Sequence, residues 1–168
     1  MRKIFILRAI LQLLLIFSVI AVVGLLIMIP VILFSSDWNT PIRIGGNLLE
    51  VNSVGAKVVL VMGSIAYILY VYVIFQLKKM IDLFIKRLLF DDEVIKKLNI
   101  IGKIFIIVVL LTNIPTLFYS MYFSENIEIN INYSDSILFN VAIGLFFMIL
   151  SEVFKIAKNL KEENELTV

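Results

Sequence analysis

The sequence predicts a mainly α-helical integral membrane protein, built as a bundle of four transmembrane helices with both termini in the cytoplasm. A small extracytoplasmic antiparallel β-sheet, formed by the two external loops, is expected on the other side of the membrane. Three observations predict this fold: 61% of the residues are hydrophobic, four long stretches lack charged residues, and nearly all Lys and Arg residues flank those stretches on one side. Soluble domains are only about 45–50% apolar, so the composition places the chain in a membrane.

The length of 168 residues suits one membrane domain over residues 1–168, because four spans of about 20 residues use much of it. The chain has no Cys and no His, which excludes disulfides, thiolate nucleophiles, imidazole bases and the usual zinc or haem ligands. We therefore expect no cofactor, no metal site and no enzymatic activity. Because membrane proteins concentrate basic residues in cytoplasmic loops, the net charge of +2 does not predict direct nucleic-acid binding.

Four runs without Asp, Glu, Lys or Arg mark the spans. The runs are Ala9–Ser36, Val58–Leu77, Ile104–Ser124 and Ser136–Ser151. A helix of about 20 residues rises about 30 Å, the thickness of the hydrocarbon core. The predicted spans are 9–34, 58–77 with a helical extension to 89, 104–123 and 136–154. The first run is longer than the roughly 7–15 apolar residues of a signal peptide and no small-residue cleavage site follows it, so we expect an uncleaved span.

The basic residues orient the spans. Three lie before the first run, seven between the second and third runs, and three after the fourth, which makes thirteen of the fifteen Lys and Arg residues. The other two loops carry only Arg43 and Lys57. Positive residues accumulate on the cytoplasmic side of membrane proteins. The predicted cytoplasmic segments are therefore the loop 78–103 and the tail 155–168, and the predicted external loops are 35–57 and 124–135.

The external loops contain stretches typical of β-strands. From Asn126 to Tyr133 polar and apolar residues alternate, as in an extended chain with one apolar face. In the first loop, Gly45-Gly46-Asn47 is a turn signal between two short apolar segments. We therefore expect a hairpin from about Thr40 to Asn52, joined by a strand from about Glu125 to Tyr133. Such a sheet is either a ligand platform or a structural cover for the outer helix ends.

The cytoplasmic segments have amphipathic patterns. Apolar residues between Met80 and Leu88 recur at helical spacing among Lys and Asp residues, which predicts that the second helix continues beyond the membrane. Asp91 then has the character of an N-cap, with further acidic residues in the first turn of a new helix. The tail from Ser151 to Leu160 repeats the amphipathic pattern. We expect two helical arms that face each other across a tight turn, and a third arm in the tail.

Two segments carry a resemblance to a known family. The segment FDDEVIKKLNIIGK, which leads into the third span, and the ending SEVFKIAKNLKEENELTV resemble the bacterial family called domain of unknown function 2975, small four-span membrane proteins. The resemblance in layout covers nearly the whole chain. The chain departs from it in the middle turn, where Leu88-Leu89 precedes Phe90 and a Gly or Pro is expected. Such proteins are commonly encoded beside a small Xre-type helix-turn-helix regulator, so the resemblance implies this regulator as a cytoplasmic partner.

Two groups of residues are candidate functional positions. The arms and the tail offer a partner-binding surface, because extended tails present apolar side chains and a free carboxylate to a partner groove; the tail is equally able to dock on its own arms. The candidate partner-binding residues are Phe90, Asp91, Leu160, Glu163, Leu166, Thr167 and Val168. Within the spans, Asn113, Pro115 and Asn140 are candidate polar packing positions. A proline kink beside Asn113 is either a substrate-binding break or the site of an interhelical hydrogen bond.

The most direct functional expectation is a non-enzymatic regulatory or interaction protein that acts through its cytoplasmic arms and tail. The alternative is a subunit of a small permease or channel, as a homo-oligomer, because four short spans enclose little polar volume. No ionisable residue lies within the four runs, which argues against a proton relay. The acidic cluster Asp91-Asp92-Glu93 is more typical of a helix cap than of a metal site.

Overall fold

The computed structural model describes residues 2–35, 42–44, 47–49, 53–123 and 131–166. These residues form four long helices and one short hairpin. The elements are α1 (Arg2–Phe34), β1 (Ile42–Ile44), β2 (Asn47–Leu49), α2 (Val54–Ile85), α3 (Asp92–Phe123) and α4 (Ile131–Leu166). All four helices are long and apolar enough to cross a membrane. The predicted bundle of four membrane helices is therefore confirmed, and the chain is a multi-pass membrane protein.

The external sheet predicted from both loops is wrong. Its third strand requires an extended chain up to Tyr133, but α4 begins at Ile131, so the last three residues of that strand form helical turns. The remainder, residues 124–130, lies outside the described residues. Extending an existing helix gains one backbone hydrogen bond per residue, which a lone strand does not. Among the described residues, β1 and β2 pair antiparallel with each other alone, with Ile42 opposite Leu49.

The core is built around α3, which lies between α2 and α4. Its side chains Val94, Leu98, Ile101 and Val108 are at most 1% exposed. They pack against apolar residues of α2 on one side and against Phe147 of α4 on the other. Burial of a large apolar side chain contributes about 1.5–3 kcal/mol, so this central position of α3 holds the three helices together.

A pair of glycines brings α3 and α4 close together. A Cβ atom built on Gly102 of α3 would lie 2.5 Å from the carbonyl oxygen of Gly144 of α4, and one built on Gly144 would lie 2.9 Å from the carbonyl oxygen of Gly102. One turn away, the rings of Phe105 and Phe147 stack with their planes 4° apart. Small residues permit such close backbone approach between membrane helices. The glycines therefore fix the distance at which the aromatic side chains meet.

The first helix packs on α2 through a single narrow stripe. Between Ile4 and Ile32, the α1 residues that are not exposed recur at alternating spacings of four and three, the heptad pattern of a coiled-coil seam. These residues are Ile4, Arg8, Leu11, Leu15, Ser18, Val22, Leu25, Ile29 and Ile32. Two polar contacts join α1 to α2 at the ends of this stripe. They are an ion pair of 2.8 Å between Arg8 and Asp82 and a hydrogen bond of 3.0 Å from Lys57 Nζ to the carbonyl oxygen of Leu33.

The turn between α2 and α3 ends one helix and starts the next. The amide of Leu88 donates to the carbonyl oxygen of Leu83 and the amide of Arg87 to that of Phe84, which is the Schellman arrangement of a helix C-terminus. Arg87 has a φ of 64°, a conformation that usually belongs to glycine. Asp91 then caps α3, because its Oδ1 accepts the Glu93 amide at 2.8 Å. Arg87 thus adopts the left-handed conformation of this turn, near the position before Phe90 where a Gly or Pro was expected.

Replacing Arg87 with Gly is expected to stabilise the protein by about 0.5–1 kcal/mol, because glycine adopts positive φ without the cost that a Cβ atom imposes. Arg87→Ala is the matched control, since it removes the same charge but keeps the Cβ atom. Thermal unfolding in detergent, followed by circular dichroism, should show a higher melting temperature for Arg87→Gly than for Arg87→Ala. Equal melting temperatures would mean that the left-handed conformation is not strained.

Candidate functional site

The predicted partner-binding residues that the structure describes lie at one end of the bundle; they are Phe90, Asp91, Leu160, Glu163 and Leu166. We call this end the terminal end; it holds the beginning of α1, the α2–α3 turn and the end of α4, and the opposite end is the loop end. Contacts between neighbouring helices show the antiparallel arrangement that produces these two ends. Arg8 near the start of α1 pairs with Asp82 near the end of α2, and Asp92 at the start of α3 pairs with Lys158 near the end of α4.

At the terminal end, the uncharged parts of α2 and α4 finish at one level. Gln76 of α2 lies 3.3 Å from the Nζ atom of Lys97 of α3, and Ser151 of α4 donates to the carbonyl oxygen of Ile95 at 2.9 Å. Gln76 and Ser151 end or nearly end their uncharged runs, so this level marks the edge of the hydrocarbon core. Lys103 lies about 9 Å inside the edge and is exposed, a depth from which a long lysine side chain can extend to the headgroups.

Helical arms extend beyond this level. From the last residues of their uncharged runs, α2 continues for eight residues to Ile85 and α4 for fifteen residues to Leu166. At 1.5 Å per residue these arms measure about 12 Å and about 22 Å, whereas the headgroup layer is only about 6 Å deep. The ends of α2 and α4 and the turn between α2 and α3 therefore project into water.

A buried cation lies at the level where the arms begin. The Lys97 side chain is only 10% exposed, and its Nζ atom lies 2.9 Å from the Glu93 carboxylate and 3.3 Å from Gln76 Oε1. Gln76 is itself buried. A buried charge is tolerated when it is both paired and hydrogen-bonded. Lys97 therefore joins α2 to α3 at the membrane edge, a role that the sequence reasoning missed because Lys97 was indistinguishable from its exposed neighbours in a basic loop.

The three adjacent acids of the α3 start serve three separate structural purposes. Asp91 caps the helix, Asp92 lies 2.6 Å from Lys158 Nζ on α4, and Glu93 pairs with Lys97 within α3. Their carboxylates thus face different partners. Within the described ranges, no group of three acidic side chains is placed to hold a metal ion.

The turn between α2 and α3 exposes three consecutive apolar side chains. Leu88, Leu89 and Phe90 are 44%, 43% and 38% exposed, although they lie on the part of the molecule that projects into water. Phe90 also touches α4, with its ring centroid 5.6 Å from that of Phe154. We call Leu88, Leu89 and Phe90 the apolar tip. Lys86 and Arg87 give the apolar tip a basic border on one side, whereas the three acids that follow it are engaged in the helix cap and the ion pairs described above.

The other predicted partner-binding residues are spread along the α4 arm and beyond it. Leu160 and Glu163 are both exposed on the arm, far along the chain from the apolar tip. Leu166 is the last residue of α4, and Thr167 and Val168 lie outside the described residues. The structure therefore brings Phe90 and Asp91 together in one turn and places Leu160 and Glu163 on a separate helical surface.

The predicted polar packing residues have different surroundings from one another. Asn113 donates from Nδ2 to the Val109 carbonyl oxygen at 2.6 Å, a bond within its own helix, and Pro115 lies inside the same helix. Asn140 instead receives an interhelical hydrogen bond of 3.1 Å on its Oδ1 atom from the hydroxyl of Tyr70. Asn140 thus links α4 to α2 through Tyr70, a residue that the sequence analysis did not identify as its partner.

An apolar cleft of about 440 Å³ opens near the loop end, between α1 and α2. Its lining comes mainly from aliphatic side chains of α1, such as Leu25 and Ile29, with Ser64 and Tyr67 of α2 and Thr112 of α3 as its polar members. The volume falls in the range of small-molecule sites, about 300–1,000 Å³. With so few polar groups, the cleft suits an apolar occupant.

Comparison with known proteins gives one result. The family described as "Protein of unknown function (DUF2975)" matches residues 36–168, a range that contains α2, α3, α4 and the apolar tip. No curated protein and no solved structure matches the chain. The matched range begins after α1.

Proposed function

We propose a function for this chain, which belongs to the DUF2975 family of proteins of unknown function: it is a membrane-anchored, non-enzymatic interaction protein that binds a soluble cytoplasmic protein through the apolar tip. Thirteen of its fifteen Lys and Arg residues belong to the terminal-end segments, which supports a cytoplasmic location for that end and for both termini. The family membership supports a small helical membrane protein and leaves the activity open.

One observation carries the proposal: Leu88, Leu89 and Phe90 are exposed on a turn that the helix lengths place beyond the headgroup layer. Each exposed apolar Å² costs about 25 cal/mol relative to burial, and contiguous apolar surface with a polar border is typical of protein interaction sites. The charged groups around it hold the arms together through ion pairs. The geometry therefore favours binding over catalysis.

The basic border indicates the chemistry of the partner. Lys86 and Arg87 lie directly before the apolar tip, so a partner with an apolar pocket and an acidic edge on that side would match it. The helix-turn-helix regulator that the family resemblance implies is our specific candidate. Its binding to a membrane protein would hold it away from DNA at the membrane surface.

The binding test uses the purified chain in nanodiscs and a purified Xre-type helix-turn-helix regulator, the partner that the family resemblance implies. Leu89→Ser and Phe90→Ser are expected to weaken binding at least about ten-fold, because each removes apolar area from the contact. Val54→Ser is the matched control, since Val54 is 76% exposed but lies at the loop end. Equal affinity for all three variants, or no binding by the unaltered chain, would refute this proposal.

The orientation has its own test. Because the chain has no cysteine, single cysteines introduced at Leu88 and at Val54 report only their own positions. In intact cells, a membrane-impermeant maleimide is expected to label Val54→Cys but not Leu88→Cys. The reverse pattern would place the apolar tip outside the cell and exclude a cytoplasmic partner.

A second function, as a subunit of a small permease or channel, is favoured by the cleft between α1 and α2. The helix that carries Pro115 borders this cleft through Thr112, so the proline-containing helix and a cavity occur together. Solute release from proteoliposomes that contain the purified chain would support transport. Proteoliposomes that retain their solute, together with binding of the regulator, would support the interaction function.

A further inference from the structure

We propose that two copies of this chain associate side by side through the outer face of α4, as a parallel coiled coil that begins in the membrane and continues into water. The surface concerned is a stripe on α4 directed away from α3. Its residues are Ala142, Phe146, Ile149, Val153, Ile156 and Leu160, and we call it the α4 seam. It is separate from the apolar tip, so this inference does not rest on the proposed function.

The first argument is the spacing. From Ala142 to Leu160 the residues of the α4 seam are separated alternately by four and three positions, and all are exposed. On a helix, this heptad spacing places the residues in one continuous line and is the pattern by which two helices pack with knobs in holes. Ser151 is only 2% exposed and faces α3, on the opposite side of α4. The α4 seam therefore lies within the face of α4 that the monomer leaves uncovered.

The second argument is that the seam crosses the membrane edge. Phe146 and Ile149 are 59% and 63% exposed in the part of α4 that lies among lipid chains, where apolar exposure is expected. Ile156 and Leu160 are 57% and 55% exposed, yet Leu160 lies about 13 Å beyond the hydrocarbon edge at Ser151. Lipid chains cannot cover Leu160, because the headgroup layer extends only about 6 Å from that edge.

The third argument concerns which occupant fits the whole seam. A soluble protein reaches only the aqueous half, and lipid covers only the membrane half. An occupant of both halves must be a membrane helix that continues as a helix into water on the same side, as α4 itself does through Leu166. Two copies of the chain inserted with the same orientation bring two such helices together in parallel, which is the arrangement that a two-fold axis along the membrane normal produces.

The charges beside the seam permit this pairing. In a parallel coiled coil with Val153 at position a, a residue at position g faces the residue five positions later in the partner helix. Glu152 would therefore face Ala157 of the second copy, and Asn159 would face Asn164. No pair of like charges meets along these flanks. The seam ends at Glu163, the next heptad position, where two carboxylates would face each other.

Cysteine cross-linking in proteoliposomes tests the contact directly, because the chain has no cysteine of its own. Ile156→Cys and Leu160→Cys are expected to form a disulfide-linked dimer on mild oxidation at low protein density. Lys155→Cys and Glu162→Cys are matched controls on exposed positions outside the seam and are expected to remain monomeric. Equal cross-linking at all four positions, or none at the seam, would overturn the proposal.

A second measurement separates the dimer from a fold defect. Glu163→Leu extends the seam by one heptad position and is expected to raise the dimer association constant about ten-fold, whereas Glu162→Leu should leave it unchanged. Ile156→Lys is expected to lower the constant by a similar factor with an unchanged circular dichroism spectrum. Single-molecule photobleaching in liposomes gives these constants, and no change for Glu163→Leu would contradict the proposed register. Since no other protein is present, failure here leaves the binding of the regulator untouched.

Discussion

Replacing Gly102 with Ala is expected to destabilise the protein by about 1–3 kcal/mol, the usual cost of overpacking a tight contact. The new Cβ atom would lie 2.5 Å from the carbonyl oxygen of Gly144 and 3.0 Å from the backbone nitrogen of Met148. These are backbone atoms, so they cannot turn aside as a side chain does. The helices α3 and α4 must therefore separate, and the stacked rings of Phe105 and Phe147 must move with them.

The matched control for Gly102→Ala is Gly63→Ala. A Cβ atom on Gly63 of α2 meets nothing within 4 Å, so this substitution should gain the helix propensity of alanine, about 0.5–1 kcal/mol, without a clash. Unfolding by SDS in mixed micelles, followed by circular dichroism, measures both variants on one scale. Should Gly102→Ala prove as stable as Gly63→Ala, the close approach of α3 and α4 at the glycine pair would be disproved.

Lys97→Met is the second substitution with a large expected effect, a loss of about 1–3 kcal/mol, because it leaves the buried Gln76 amide without its partner. The side chain of Lys97 is buried between α2 and α3, whereas that of Lys96 is exposed. Lys96→Met therefore removes the same charge from the same helix and is expected to change the free energy of unfolding by less than about 0.5 kcal/mol.

A double substitution shows whether the lost hydrogen bond is the cause. Replacing both partners of a buried polar pair by apolar side chains is often nearly neutral, so Gln76→Leu in the Lys97→Met background is expected to recover most of the lost stability. Glu93 does not prevent this recovery, since its side chain is 56% exposed and stays hydrated. If the double variant is no more stable than Lys97→Met, the effect of Lys97 lies in its charge or its packing and not in its bond to Gln76.

Local features were predictable where a short stretch of sequence controls them. The N-cap at Asp91 depends on a carboxylate one residue before the helix, and its hydrogen bond to the Glu93 amide follows from that spacing. The position of the strand-like stretch before Tyr133 was not predictable in this way, because alternation alone does not reveal whether a partner strand is available. There α4 extends back to Ile131, so residues 131–133 belong to a helix and not to the predicted strand.

The candidate site was predictable in part. The apolar tip was located through Phe90 because apolar residues in a basic loop are visible in the sequence. Its neighbour Phe154 was not, since the two residues are brought together only by the packing of α4 against the α2–α3 turn. Leu160 was identified from the sequence as a candidate partner-binding residue of the amphipathic tail, but its place in the proposed α4 seam required knowledge of which face of α4 is already covered.

The sequence by itself determined the membrane environment, the number of helices and the distribution of charge between their ends, because hydrocarbon demands long uncharged runs whatever their neighbours are. Tertiary structure alone decided which faces meet. In a helix as uniformly apolar as α1, every face is compatible with lipid, so the stripe that packs on α2 carries no hydrophobic signal. The contact of Gly102 with Gly144 and the bond between Tyr70 and Asn140 likewise depend on how separate helices fit together, which no local pattern records.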